Sequence, residues 1–201
     1  MIILGIDPGI AIVGWGALEY VRGSFRTLGY GAIRTDSGLA VEDRLAVIHE
    51  ELSEIIRKYK PECMSIEELF WNTNQKTGIV VAEARGVILC CARRMGLTVC
   101  EYTPLQVKQA ITGYGRAEKR QIMTMVTALL GLSEIPKPDD TADALAIAVC
   151  HAHSGASGIG AYYNKTVTAG KGVKRKITDP RILSGSNIVI PAKKQTEKRK
   201  D

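Results

Sequence analysis

Met1-Ile2-Ile3-Leu4-Gly5-Ile6-Asp7-Pro8-Gly9 opens the chain with an apolar run that ends on a carboxylate and a turn. A short apolar run closed by Pro and Gly reads as a buried strand. Asp7 then stands at the mouth of that strand, where an acid can bind a metal ion or activate water. Gly9 supplies backbone that a ligand can approach closely. Asp at a strand end is also an ordinary turn former, because its side chain accepts local backbone N–H groups. A second apolar run, Ile10 to Leu18, follows at once and predicts a hairpin. Asp7 gains chemical meaning only if other acids converge on it.

Residues 1–7, 10–21 and 24–34 read as three strands, with Val21-Arg22-Gly23-Ser24 as the clearest hairpin turn. Residues 42–59 carry Leu45, Ile48, Leu52, Ile55 and Ile56 at helical spacing. Past Pro61, Cys63-Met64-Ser65-Ile66-Glu67 reads as a second buried strand that ends in an acid. A helix over 74–95 stops at Gly96, and Leu97 to Tyr102 reads as a fifth strand. A short helix from Pro104 to Ile111, a loop at Gly113-Tyr114-Gly115 and a helix over 118–130 come next. Pro136 and Pro138 mark a loop before a last helix from Asp139 to His153. Three antiparallel strands followed by alternating helices and strands predict an α/β domain, a five-stranded mixed sheet flanked by helices. A central first strand with the fourth beside it puts Asp7 next to Glu67. That is the ribonuclease H-like fold.

The chain has 201 residues, 45% of them hydrophobic, which suits one domain with a real core plus a tail. No apolar run is long enough to span a membrane, and the start lacks a signal peptide's basic region and cleavage site. A cytoplasmic location is expected. Cys63, Cys90, Cys91, Cys100 and Cys150 are odd in number and contain no CxxC pair. They read as buried thiols rather than a disulfide framework or a zinc site. The net charge of +6 is uneven. Residues 154–201 hold eleven Lys/Arg against three Asp/Glu, and residues 1–153 hold sixteen against eighteen. Ser154-Gly155-Ala156-Ser157-Gly158 reads as a linker, so a domain over 1–153 and a basic, flexible tail over 154–201 are expected. Such a tail either neutralises nucleic-acid phosphates or merely solubilises the chain.

Asp139, Asp140 and Asp143 open the last helix. Asp140 and Asp143 are three apart and share a face. Helix N-termini favour carboxylates through the dipole, so Asp139 as an N-cap and three solvated acids are an equally physical reading. Phosphodiester hydrolysis gives such acids a task. It needs an activated water and a stabilised leaving oxygen, and two divalent cations about 3.5–4 Å apart supply both. Mg²⁺ prefers hard oxygen ligands, and carboxylates from separate elements provide them.

Several stretches, in order and spacing, carry a resemblance. They are Leu4-Gly5-Ile6-Asp7-Pro8-Gly9, Ile66-Glu67-Glu68-Leu69-Phe70-Trp71-Asn72-Thr73-Asn74, Gln106-Val107-Lys108-Gln109, Gly113 to Lys119, and Asp140-Thr141-Ala142-Asp143-Ala144-Leu145-Ala146-Ile147-Ala148. Over residues 1–153 the chain resembles the RuvC family of Holliday junction resolvases. The resemblance implies that Asp7, Glu67, Asp140 and Asp143 hold the metal, rather than their neighbours Glu68 and Asp139. It implies Mg²⁺, with Mn²⁺ substituting and two ions per active site. It further implies a homodimer that binds a four-way DNA junction and makes paired symmetric cuts with 5′-phosphate ends. A branch-migration motor complex is a possible partner, and DNA recombination and repair are the setting.

Lys108 and Lys119 are similar to the family's basic residues near the active site, where an ammonium offsets charge building on the phosphate. Phe70 matches a base-stacking aromatic, an interaction worth about 1–3 kcal/mol per base. Trp71 is either a second ring for DNA or a core plug. Asn74, Lys76, Arg116 and Arg120 are candidates for backbone contacts. Gly113 and Gly115 either admit a phosphate or simply turn the chain. His151 and His153, late in the last helix, read as core or dipole partners and stay outside the site. Gly5-Ile6-Asp7-Pro8-Gly9 also resembles the first phosphate loop of actin-like folds, but no second copy of that loop occurs.

Overall fold

The computed structural model describes residues 1–69 and 75–156. The strands are β1 (Ile2–Asp7), β2 (Ile12–Val21), β3 (Ser24–Arg34), β4 (Cys63–Glu67) and β5 (Thr98–Tyr102). The helices are α1 (Val41–Tyr59), α2 (Gln75–Arg94), α3 (Pro104–Thr112), α4 (Lys119–Leu129) and α5 (Asp139–Ala156). Every element expected from the sequence is present. β2 starts at Ile12 rather than residue 10, because the chain is still turning there and Thr35 Oγ1 donates to the Ile10 carbonyl. α5 continues past His153 to Ala156.

The sheet order is β3-β2-β1-β4-β5. β1, β2 and β3 form an antiparallel meander, while β4 runs parallel to both β1 and β5. The α1 crossover brings β4 alongside β1, which makes the first strand central, as expected for a ribonuclease H-like sheet. Helices cover both faces, so the central strands are apolar on both sides.

Strand parity then sorts the side chains. Leu4, Ile6, Val13, Ala17, Met64 and Ile66 pack with Ile48, Leu52 and Ile56 of α1 and Ala84, Ile88 and Cys91 of α2. Ile3, Leu18, Cys63, Cys100 and Tyr102 pack on the other face with α3, α4 and α5. The register pairs Ile3 with Cys63, Gly5 with Ser65 and Ile6 with Ile66. Asp7 and Glu67 share the parity of Ile3 and Cys63, so both belong to the α5 face.

α5 lies unusually close to that face. A Cβ on Gly5 would overlap the Ala144 carbonyl, and one on Gly14 would overlap the Asp140 carbonyl. One on Gly16 would stand 2.6 Å from Leu145 Cδ2. The helix therefore rests on bare backbone. Thr141, fully buried, pins it by donating from Oγ1 to the Gly31 carbonyl at 3.1 Å.

α3 begins directly after β5 with Pro104 at its first turn and a capping box of Thr103 and Gln106. Gly113 caps its end at φ +78°, so this glycine turns the chain. Four cysteines are buried and Cys90 is exposed, all as free thiols. Among the described residues no helix is long and apolar enough to cross a membrane.

Candidate active site

Asp7 ends β1 and Glu67 ends β4, at the same edge of two neighbouring parallel strands. Asp140 and Asp143 sit in the first turns of α5, which the glycines of β1 and β2 let down onto that edge. Glu68, the next residue along, is exposed.

The acids feel one another. Asp7 is pushed up from 3.8 to about 8, first by burial, then by the charges of Glu67, Asp143 and Asp140. Glu67 is raised by burial and by Asp143, against the pull of Lys119 and Lys108. Asp143 is raised by burial, which outweighs its bond to Lys119. A pocket that makes carboxylates hold protons is one that a divalent cation would relieve. The donor set is carboxylate oxygen throughout, which fits a hard cation such as Mg²⁺. Among the described residues, however, no three acids are already closed to ligand spacing.

The lysines complete the cluster. Lys119, the first residue of α4, places Nζ 3.0 Å from Asp143 Oδ2 and 3.4 Å from Asp139 Oδ2. Burial lowers its hold on the proton, but the bonds and charges of Asp143 and Asp139 more than reverse this. Lys108 lies one turn into α3. Glu67, Asp143, Lys108 and Lys119 line one cleft of about 200 Å³, with Pro104, Val107, Ile122 and Ile147 also in its walls. Carboxylates beside two ammonium groups can hold a metal-bound phosphodiester and balance its charge.

Residues 3–151 match the family model for the crossover junction endodeoxyribonuclease RuvC. The chain belongs to the RuvC family. The curated RuvC of Alkaliphilus oremlandii is 56% identical over 155 residues, which cover 77% of this chain and 94% of that one. RuvC of Caldanaerobacter subterraneus is 55% identical over 154 residues, 77% of this chain and 93% of its own. Among solved structures, Thermus thermophilus RuvC in complex with Holliday junction substrate matches with a TM-score of 0.73 and 33% identity. That match covers 79% of this chain and 97% of the Thermus chain.

Of the residues that the RuvC resemblance singled out, Asp7, Glu67, Asp140, Asp143, Lys108 and Lys119 are gathered at one end of the sheet. Arg116 and Arg120 flank Lys119 and are exposed. Phe70, Trp71, Asn74 and the side chain of Lys76 lie outside the described residues, as does the segment 157–201. His151 is a core residue: Nδ1 is 2.8 Å from the Tyr102 hydroxyl and Nε2 is 3.2 Å from Cys63 Sγ. The ring of His153 packs edge-on against Phe25.

Sequence reasoning missed four residues that shape the site. Asp139, set aside as a ligand, shares the Lys119 ammonium. Arg85 of α2 pairs with Glu101 of β5 and donates from Nε to the Glu67 carbonyl at 3.5 Å, tying down the end of β4. Gly14 and Thr141 seat α5. Nothing in the sequence of α2, which also carries Glu83 and other charged residues, singled out Arg85. The glycine spacing Gly14-x-Gly16 in a strand was the signal for the close approach.

Proposed function

We propose that this chain is a structure-selective endonuclease that resolves four-way DNA junctions in recombination and repair, with Asp7, Glu67, Asp140 and Asp143 as its metal ligands. The supporting observation is the convergence of four acids and two lysines at the end of β1 and β4, in a chain of the RuvC family. When bound, two Mg²⁺ ions (or Mn²⁺) supply Lewis acidity and lower the pKa of a bound water.

The chain's own residues do the rest. The four carboxylates would hold the cations and orient the attacking water towards the phosphorus. Lys119 and Lys108 lie where they can offset the charge that grows on the non-bridging oxygens. Water adds its oxygen to phosphorus, the P–O3′ bond breaks, and a proton passes to O3′. The products are a 5′-phosphate and a 3′-hydroxyl, which a ligase can seal. Phe70 stacks on an unpaired base near the crossover, and Trp71 is a candidate for a second such ring. Asn74, Lys76, Arg116 and Arg120 hold the backbone.

Two active sites related by a two-fold axis suit a junction that is itself two-fold, so the working form is a homodimer that cuts two strands of like polarity. It acts in the cytoplasm, and a branch-migration motor is the class of partner that would deliver junctions to it. The domain is residues 1–153 with the last residues of α5 to Ala156, and the basic segment beyond it adds non-specific affinity.

The test is cleavage of a labelled four-way junction beside a linear duplex of the same sequence, first with Mg²⁺ and then with EDTA. Paired, ligatable, metal-dependent cuts confined to the junction are expected. Tight junction binding with no cuts in Mg²⁺ or Mn²⁺ would overturn the nuclease reading.

A further inference from the structure

Lys119 stands where its charge is unwelcome. It is the first residue of α4, at the positive end of the helix dipole, and its predecessor Glu118 gives the helix no side-chain cap. A cation at this end costs helix stability unless something offsets it. Asp139 and Asp143 do so: they are four apart on α5 and present two carboxylates to one ammonium. Local unfavourability with compensation across the fold marks a functional position.

The partner of that ammonium matters more than the bond itself. Asp143 is one of the four acids assigned to the metal, and the oxygen that Lys119 contacts, Oδ2, offers the lone pairs a cation would need. Among the described residues no three acids are yet at ligand spacing, while the ammonium rests on one of the four. Lys119 is 55% exposed, Asp139 59% and Asp143 32%. The bond to Asp139, between exposed groups, breaks at low cost, and a phosphate in the same cleft can replace the half-buried Asp143 as the partner of this ammonium on its flexible four-carbon stem.

We propose that Lys119 serves as a resident cation in the metal-free site: it occupies Asp143, competes with the metal ion, and leaves when a DNA phosphate takes its ammonium. This rests on the metal-site reading above and adds a coupling to it. DNA and metal then favour each other's binding by more than direct contact between them, and metal loads tightly only where a backbone phosphate is in place. The coupling is reciprocal by linkage.

The experiment is a Mn²⁺ titration of the full chain, free Mn²⁺ being followed by electron paramagnetic resonance. Wild type, Lys119→Met and Lys108→Met are compared without DNA and with a saturating, non-cleavable four-way junction. Lys108 is the control, since its charge bears on Glu67 from within the same cleft. Without DNA, Lys119→Met should bind Mn²⁺ at least tenfold more tightly than wild type, and Lys108→Met less than threefold more tightly. Adding the junction should tighten Mn²⁺ binding in wild type at least fivefold more than it does in Lys119→Met. Melting curves confirm that each variant is folded, and Lys119→Gln provides a second neutral replacement. Equal effects of the two lysine variants would overturn the proposal, because the ammonium would then act only as diffuse charge. So would a Lys119→Met affinity equal to wild type. A wild-type protein that takes up no Mn²⁺ with or without DNA would remove the metal site itself, a different failure from the other two.

Discussion

A carboxyl group pushed up to about 8 holds its proton at neutral pH when no metal ion is bound, and Asp7 is such a group. The folded protein then binds a proton that the unfolded chain releases near pH 4, so its stability without metal falls as pH rises from about 4 to 8. On the proposed reading, a metal ion held by Asp7 would reverse this by taking the proton's place. Asp7→Asn should therefore melt higher than wild type in EDTA at pH 8.5, by on the order of 1–3 kcal/mol. It should also abolish cutting while junction binding persists. A variant that melts lower, or that still cuts, would remove Asp7 from the ligand set. His151 gives the opposite pH signature. Burial lowers its pKa from 6.5, so the stability it lends is present above pH 6.5 and is lost as pH falls through and below that value. Urea unfolding at pH 7.5 and pH 5 should show a smaller difference in His151→Phe than in wild type. An identical difference would mean that His151 takes up its proton equally in the folded and unfolded states.

At the level of elements, α5 decides the site because it carries two acids and lies on bare strand backbone. Gly14→Ala inserts a methyl group against the Asp140 carbonyl, and neither backbone can give way without moving the helix. The expected cost is about 1–3 kcal/mol of stability, with cutting reduced far more than the lost stability explains. Gly16→Ala meets the Leu145 side chain instead, which can rotate, so it should be milder on both counts. Equal losses in cleavage assays of the two folded variants would count against a seat specific to Asp140.

Strand and helix identities were legible for the same reason that the acids were. Period-two alternation sends Asp7 and Glu67 to one face, and the α1 pattern of Leu45, Ile48, Leu52 and Ile55 allows one helix face only. Neighbouring acids were harder to separate by spacing alone. Glu67 and Glu68 sit at consecutive positions, and only the register of β4 makes one of them face α5. Arg85 was illegible because its partners, Glu101 and the Glu67 carbonyl, come from two other elements. The Lys119 pairs depend on how α4 lies against α5, which no local pattern encodes.

For the whole molecule, charge is divided between a nearly neutral body and a strongly basic C-terminal segment, where residues 154–201 hold eleven Lys/Arg against three Asp/Glu. If those cations engage phosphates, each one neutralised contributes about 0.9 to the slope of log affinity against log salt on duplex arms. Deleting 157–201, which removes the same eleven cations and leaves α5 whole, should then flatten that slope and weaken duplex and junction binding alike, leaving the junction preference of the body intact. An unchanged slope, measured by fluorescence anisotropy from 50 to 200 mM salt (about the range over which such slopes are read), would dismiss the segment as a DNA arm.

The alternation of faces along β4 also has a meaning in the gene. Losing one codon inside this strand would turn Glu67 to the α1 and α2 side of the sheet and bring Glu68 into the place that faces α5. With Glu68 replaced by alanine, no acid is left to take that place. A library of short in-frame deletions should therefore tolerate a one-codon loss only while Glu68 is present, a signature read without any assay of the metal.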